Sequence, residues 1–482
     1  MYILNTKYKI EKSRIKILKK ERKITLNKKE NKISKEIKIN KKSARRNYSN
    51  QTGITLIALV VTIVVLLILA GVSINALFGD SGIIDRAKEA QSETNKATER
   101  DKKEIKELSN WLDSKINGTT GGNDNPSISD LPSTSYTIPY YPDNTFTKVE
   151  GTNLSNGLVI QDGSENRNEY VWIEVPKTAE VYPTAGLKIT NFTETEYTAI
   201  ETDLHTYTDY YRNGTSYKDT YYSDATTGLT SAQYTELKQK MLKSVYENGG
   251  FWIGRYEAGI TKNRTSKDEE ITAAPLSKAG TVENPVYPYT YVTCSQAQTL
   301  ASQLSTEKTY TSSLMFGVQW DLVLKHIEVK EGTDATKLAT IQSALRTDSK
   351  DWGNYRNASF EINRGKYAKY GALTTWYNYN TALANCVTYA NGKSTKLSAS
   401  SSSNSILLTT GASDVCKKMN IYDLAGNVYE WTLEYTAGTG DPCATRGGTY
   451  NNVGSDIPAS YRTSIIPTGS VNWIGFRPSL FK

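Results

Sequence analysis

The sequence predicts an α+β protein with one N-terminal transmembrane helix, a helical stalk and a loop-rich outer domain. Three observations carry this expectation. Residues 54–72, ITLIALVVTIVVLLILAGV, are almost wholly apolar and lie in a stretch, 47–79, without a charged side chain. Residues 85–116 place Ile105, Leu108, Leu112 and Ile116 at helical spacing among alternating Glu and Lys. From Tyr136 onward the chain is rich in Tyr, Thr, Ser and Asn, with short strand-like runs such as YVWIEVP (170–176) and GGFWIGRYEAGI (249–260) between long irregular connections.

The head comes first. Residues 1–50 carry 18 Lys and Arg against 4 Glu, a net of +14; with +8 overall, residues 51–482 carry −6. A basic head alone invites a nucleic-acid reading. The apolar run behind it argues for a membrane instead, and no nucleic-acid partner is expected. That run reaches the roughly 18–20 residues that a helix needs to cross hydrocarbon. Basic residues on its N-terminal side orient the head inward and the outer domain outward, so the expected location is the cell membrane, single-pass, with the C-terminal domain extracellular. A signal peptide cleaved after the run is the competing reading, but GVSINALFGDSG (71–82) offers no clear A-x-A site.

The expected organisation is a leader at 1–53, a transmembrane helix at 54–78, a stalk at 79–116, a flexible linker at 117–135 and the outer domain at 136–482. The linker follows from NGTTGGNDNPSISDLPSTS, where Gly, Pro, Asn and Ser crowd together. Within the outer domain, 295–307 and 319–330 read as helices. Residues 207–228 and 398–405 read as surface insertions without chemistry.

The stretch NQTGITLIALVVTIVVLLILAGVSINAL (50–77) resembles the N-terminus of type IV pilin-like precursors. The resemblance implies that a prepilin peptidase cuts after Gly53 and leaves Ile54 as a new, methylated N-terminus. Fibre-forming pilins carry Glu at the fifth position after the cut; here it is Ala58. That departure favours an anchor or minor component, with a pilin-type oligomer as the partner arrangement, over a long pilus.

Composition narrows the chemistry. Cys294, Cys386, Cys416 and Cys443 form no C-x-x-C pair, so a zinc site is not expected from them. Outside the cell one or two disulfides could form, with partners left open. The two histidines, His205 and His326, have no His or Cys neighbour at ligand spacing, so no copper, iron or zinc is expected. His326, inside WDLVLKHI, reads as packing or surface.

In DLAGNVYEW (423–431), Asp423 and Glu430 flank a turn at Gly426 and Asn427. Two carboxylates and the carbonyls of such a turn are a candidate hard-cation site. The alternative is a turn held by Asp and Asn hydrogen bonds without metal, with Trp431 in the core.

Six segments then occur in a fixed order: FWIGRYEAG (251–259), YVTCSQAQTLASQL (291–304), SLMFGVQWDLVLKHI (313–327, with Trp320), IYDLAGNVYEWT (421–432), RGGTY (446–450) and IGFRP (474–478). In that order they resemble the formylglycine-generating enzyme, or sulfatase-modifying factor, family. The resemblance implies a C-type-lectin-like fold. It also implies calcium held by the side chains of Asp423 and Glu430 and the carbonyls of Gly426 and Val428. Catalytic members of that family place reactive cysteines just after the GGS-[WY] motif and use a copper ion. Here that position is Asn452, and no Cys occurs in 444–482. An amide can serve neither as the nucleophile nor as the soft ligand that a thiolate provides. Members resembling sulfoxide synthases need iron held by clustered histidines, which this chain lacks. The protein is therefore not expected to be an enzyme.

What remains is a surface of Tyr450, Asn451, Asn452, Asp456, Ser460, Tyr461, Ser464, Asn472 and Trp473. Tyr, Asn and Ser are the residue types of adaptable paratopes. The layout resembles the variable C-terminal region of proteins diversified by retroelements; a fixed polar loop ending in a Trp473–Phe476 cluster is the alternative. The expected function is a surface-displayed binder of an extracellular protein or glycan. The rivals are an enzyme with its chemistry on other residues and a structural minor pilin subunit.

Overall fold

The computed structural model describes residues 139–212, 216–305, 308–437 and 440–482. The expected transmembrane helix, stalk and processing pair Gly53 and Ile54 lie outside these residues. No helix among the described residues is long and apolar enough to cross a membrane. The expected fold class, built around such a helix, is therefore corrected to a sheet-rich α+β domain. The physical reason is visible in its longest helix, Ser231–Asn248, which buries Tyr234, Met241, Leu242 and Val245 on one face. It exposes Lys240 and Lys243 on the other, the pattern of a helix lying on a core.

Five helices of ten or more residues are described: α1 (Glu194–Tyr207), α2 (Ser231–Asn248), α3 (Cys294–Gln303), α4 (Gly317–Glu331) and α5 (Ala335–Arg346). The first three start on the same device. Thr193, Thr230 and Thr293 each accept a hydrogen bond from the backbone three residues on, where Glu196, Gln233 and Gln296 reach back to the threonine's own N–H. Helix α4 is capped from a distance: the Asp219 carboxylate accepts from Gly317 N at 2.6 Å and Val318 N at 2.9 Å.

One sheet has the strand order β1-β2-β3-β4-β10-β5, formed by Thr147–Lys148, Val159–Gln161, Glu169–Glu174, Gly250–Gly254, Pro478–Phe481 and Thr311–Leu314 in that order. Strand alternation sorts its apolar residues onto two faces. Val171, Ile173, Phe251 and Ile253 join the main core, while Tyr170, Trp172, Trp252 and Leu480 build a smaller cluster behind the sheet. Trp172 and Trp252 are register partners with ring centroids 5.1 Å apart.

The second sheet joins β6 (Tyr429–Thr436), β7 (Cys443–Arg446), β8 (Arg462–Ile465) and β9 (Ile474–Phe476) in the order β8-β7-β6-β9, and Tyr217–Lys218 pairs with the far end of β6. All eight residues of β6 are buried. The β6–β9 pair is parallel and sets Tyr429 opposite Ile474.

Buried charge ties this sheet to α4. Asp321 accepts from Arg446 Nη2 at 2.8 Å and from Arg462 Nη2. Glu434 accepts from Arg462 Nε at 3.0 and 3.1 Å and from Arg446 Nη1 at 3.3 Å. Two buried carboxylates thus close on the Arg446 and Arg462 guanidinium groups, with Arg212 Nη1 3.7 Å from Asp321 beside them. Breaking one partner of such a group leaves an uncompensated charge, at a cost of about 3–5 kcal/mol. Asp321→Asn is expected to lower unfolding free energy by that amount in denaturant titrations, whereas Glu236→Gln, which removes the exposed pair with Lys240, should leave the midpoint unchanged.

Candidate functional site

The RGGTY segment leaves β7 through two glycines in left-handed conformation, Gly447 (φ +89°) and Gly448 (φ +82°). A Cβ on Gly448 would stand 2.9 Å from Ile457 O and from the Tyr355 ring, so the turn admits no larger residue. The turn delivers Tyr450 against the Gly426–Asn427 turn, where Tyr450 N donates to Asn427 O at 2.9 Å. The parallel β6–β9 pairing brings in the other wall. Tyr429 N donates to Trp473 O at 3.0 Å, and the two rings meet edge-on with centroids 5.9 Å apart.

These elements enclose an open cavity of about 370 Å³ lined by Tyr370, Gly371, Tyr429, Thr449, Tyr450, Asn451, Asn452, Asn472 and Trp473. Its walls are an indole, three phenols, three amides and the Thr449 hydroxyl. No carboxylate, thiol or imidazole lines it. A second cavity of about 230 Å³, with Asn263, Tyr291 and Thr374 in its wall, shares Gly371 and Asn472 with the first.

Of the nine residues expected to form a binding surface, five meet in the larger cavity: Tyr450, Asn451, Asn452, Asn472 and Trp473. Tyr450 is only 1% exposed and takes part through the edge it presents to the cavity. Asn452 is partly committed, because its Oδ1 accepts from Thr449 N at 2.8 Å and Thr449 Oγ1 at 2.9 Å. The other four do not line it. Asp456 and Tyr461 are exposed elsewhere, and Ser464 is paired with Ala444 in the β7–β8 ladder. Ser460 is buried, with its carbonyl on Arg446, so its place in a contact surface is corrected. Sequence reasoning missed Tyr370, Gly371, Tyr429 and Thr449. Tyr429 and Thr449 sit inside motifs already singled out; nothing local marks the turn at Tyr370.

The expected cation site has a different construction. Glu430 gives both carboxylate oxygens to Arg477, with Nε at 3.1 and 3.0 Å and Nη2 at 2.6 Å. Val428 N is held by Glu257 Oε1 at 3.1 Å, and Asn427 Nδ2 by Glu257 Oε2 at 2.7 Å. Gly426, at φ +75°, packs against the Asn354 backbone. Asp423 Oδ2 accepts from Gly411 N at 2.8 Å, which leaves only its Oδ1 unpartnered. A hard cation takes six to eight oxygens. With Glu430 closed on Arg477, Asp423, Gly426, Val428 and Glu430 do not fit calcium. The Arg477 guanidinium supplies the positive charge there.

Glu257, Asp423 and Glu430 are all buried around that one guanidinium. Burial, reinforced by the neighbouring carboxylates, pushes Glu257 well above the usual carboxyl range. Burial, with the Glu430 charge adding to it, raises Asp423 to about 7. His326, also buried, is pushed down to about 3 by burial and by the Lys330 charge, and its neutral ring accepts from Glu174 N at 3.1 Å.

The raised Asp423 has a definite sign in stability. Between about pH 4, where an unfolded Asp releases its proton, and about pH 7, the folded chain binds more protons than the unfolded one. The Asp423 contribution to stability is therefore expected to fall as pH rises through that window, against a rise from His326, which burial lowers from about 6.5 to about 3. Asp414 and Asp219, both held near 2, complete their opposite effect below it. Denaturant titrations at a series of pH values should show the stability of Asp423→Asn rising relative to the native protein as pH increases from about 4 to about 7.

The profile of the sulfatase-modifying factor enzyme 1-like domain matches residues 154–479. No curated protein matches the chain. Similar solved structures include Treponema denticola variable protein 1, at 15% identity over 48% of this chain and 85% of that one, with a TM-score of 0.27. CarF is 13% identical over 65% of this chain and 87% of its own, with a TM-score of 0.24. PvdO from Pseudomonas aeruginosa is 15% identical over 49% of this chain and 82% of its own, with a TM-score of 0.25. The family match runs from before β2 into β10, over more than half of the chain, and on that ground the protein belongs to the sulfatase-modifying factor enzyme 1-like family.

Proposed function

We propose that this domain is a non-catalytic ligand-binding head whose site is the cavity at Trp473. The observation that carries the proposal is the lining itself: Trp, Tyr, Asn and Thr, with no carboxylate, thiol or imidazole. Proton transfer and nucleophilic attack near neutral pH most often use groups of those missing kinds, and burial raises the Tyr429 and Tyr450 phenols above their ordinary range, where they stay protonated. Asn452 stands where a catalytic relative would carry a thiol. The four cysteines are buried elsewhere, and burial raises Cys386 and Cys416 above the ordinary thiol value, away from the reactive thiolate.

The same lining suits a neutral, polar ligand with an apolar face. Ring faces at Trp473 and Tyr429 supply apolar contact, and the amides of Asn451 and Asn472 supply hydrogen bonds that need no charged partner. A neutral glycan has that character. An uncharged peptide segment is the competing occupant.

The test is binding of the full-length protein to a panel of neutral oligosaccharides and, in parallel, to uncharged peptides, read by calorimetry. Trp473→Ala should weaken glycan binding by at least about thirtyfold, the size expected of an aromatic anchor. Asn472→Asp, which introduces a charge while keeping shape, should weaken it without lowering thermal stability. Binding confined to peptides would replace the ligand class. Indifference to both variants, or turnover of a thiol substrate, would overturn the proposal.

A further inference from the structure

Away from the cavity at Trp473, one cluster of side chains has the composition and spacing of a metal site. Glu201 and His205 stand four residues apart on α1, the spacing by which one helix face offers two donors to one ion. Asp219, which follows the strand Tyr217–Lys218, completes the group. One donor atom from each of the three lies within 4.8 Å of the others.

Three features separate this cluster from a chance gathering of surface acids. The Asp219 side chain is fully buried, and its carboxylate is oriented by the two backbone N–H groups of α4 that it caps; outer contacts of that kind fix metal-bound carboxylates. His205 Nε2 lies 3.4 Å from Asp219 Oδ2. That is long for a direct hydrogen bond. It equals the edge of about 3.4 Å between two donors each about 2.0–2.1 Å from a tetrahedral zinc ion. Finally, the cluster already attracts a cation: Lys238 Nζ sits 2.8 Å from Glu201 Oε2 and 2.9 Å from the Asp219 carbonyl. The partly exposed side chains of His205 and Glu201 open the cluster to solvent, and Glu201 also lines a cavity of about 200 Å³ with Thr220 and Lys238.

We infer that Glu201, His205 and Asp219 form a binding site for a divalent transition ion, zinc foremost, in competition with the Lys238 ammonium. Two carboxylates and a neutral imidazole balance a divalent charge, and solvent water at the partly exposed His205 and Glu201 completes the fourth position. The ion would pin α1 to the first turn of α4 through Asp219. Asp219 itself is left unchanged in the test because it caps that helix.

The experiment titrates the full-length, reduced and metal-stripped protein with Zn²⁺ by calorimetry and with Co²⁺ by visible absorption. One ion per chain is expected, with a tetrahedral cobalt spectrum that lacks thiolate charge-transfer bands. His205→Gln and Glu201→Gln should each weaken binding by at least about tenfold, no less than the loss of a supporting contact costs elsewhere. Lys238→Met should tighten it several-fold, because the competing ammonium is gone. No binding by the native protein, affinity unchanged in both glutamine variants, or a thiolate band that places the ion on cysteine would each overturn the inference. If His205→Gln fails to fold, Glu201→Gln and Lys238→Met decide the matter, since they predict opposite changes.

Discussion

Arg446 is fully buried, and a guanidinium cannot lose its charge to ease that burial. Its position therefore dictates what surrounds it. Asp321 must come from α4 and Glu434 from β6 to compensate it, and Arg462 must come from β8 because two carboxylates cannot be left with one cation. The Arg446 guanidinium also lies over the Trp320 ring at 5.3 Å, and the Trp320 indole donates to Ala459 O at 3.0 Å. Helix α4, the sheet and the loop between β7 and β8 thus meet at one buried charge group, with Arg212 Nη1 3.7 Å from Asp321 at its margin. The two glycines that aim the chain into the cavity follow Arg446 directly, so the geometry of the site inherits that anchor.

Arg477 plays a related part under less balanced conditions. It ties β6 to the end of β4 through Gly254 O at 2.9 Å and to Tyr422 O at 2.8 Å, besides closing on Glu430. Around it lie three carboxylates, however, and one guanidinium cannot match them. The difference from the Arg446 group explains why Asp423 and Glu257 hold protons far above their ordinary range while Asp321 and Glu434 form closed pairs. Protonation, together with the Asn427 amide, relieves the excess negative charge. Asn427 sits at the centre of this arrangement. It accepts from Asn354 Nδ2 at 2.9 Å and Leu408 N at 3.1 Å while donating to Glu257. The turn is held from within by side chains.

Much of this was legible before the structure. The motifs around Asp423, Arg446 and Arg477 fall on the turn and strands that build the second sheet, and α3 and α4 lie within a few residues of the expected helices. Helices α1, α2 and α5 were not foreseen, although Thr193 with Glu196 and Thr230 with Gln233 carry the start signal in plain sequence. In α1 and α2 the apolar positions are sparse and include tyrosines, which hides the period, whereas α5 carries Leu338, Ile341 and Leu345 at helical spacing. The partner of Glu430 was not legible, because Arg477 is 47 residues away and only the fold brings it in. The cluster at His205 escaped for a different reason. A search for His and Cys neighbours passes over two carboxylates, one of them a turn away on the same helix.

The division of labour along RGGTYNN constrains any account in which this region varies. Arg446, Gly447 and Gly448 serve the scaffold: the first by charge, the others by backbone angles that a Cβ would strain. Asn452 is half-committed, since its carbonyl oxygen closes the turn on Thr449, while Asn451 makes a single side-chain contact with Ser405 Oγ at 3.3 Å. Ser460 is enclosed, and its carbonyl accepts from Arg446 Nη2 at 3.3 Å. Substitution can therefore range more freely at Asn451 and Asn472, which combine partial exposure with a place in the cavity wall, than at Trp473, whose ring packs on the core and on Tyr429. A fold that fixes its charges and glycines in the core, and leaves amides at the rim, can carry different side chains in the cavity wall without changing how it stands.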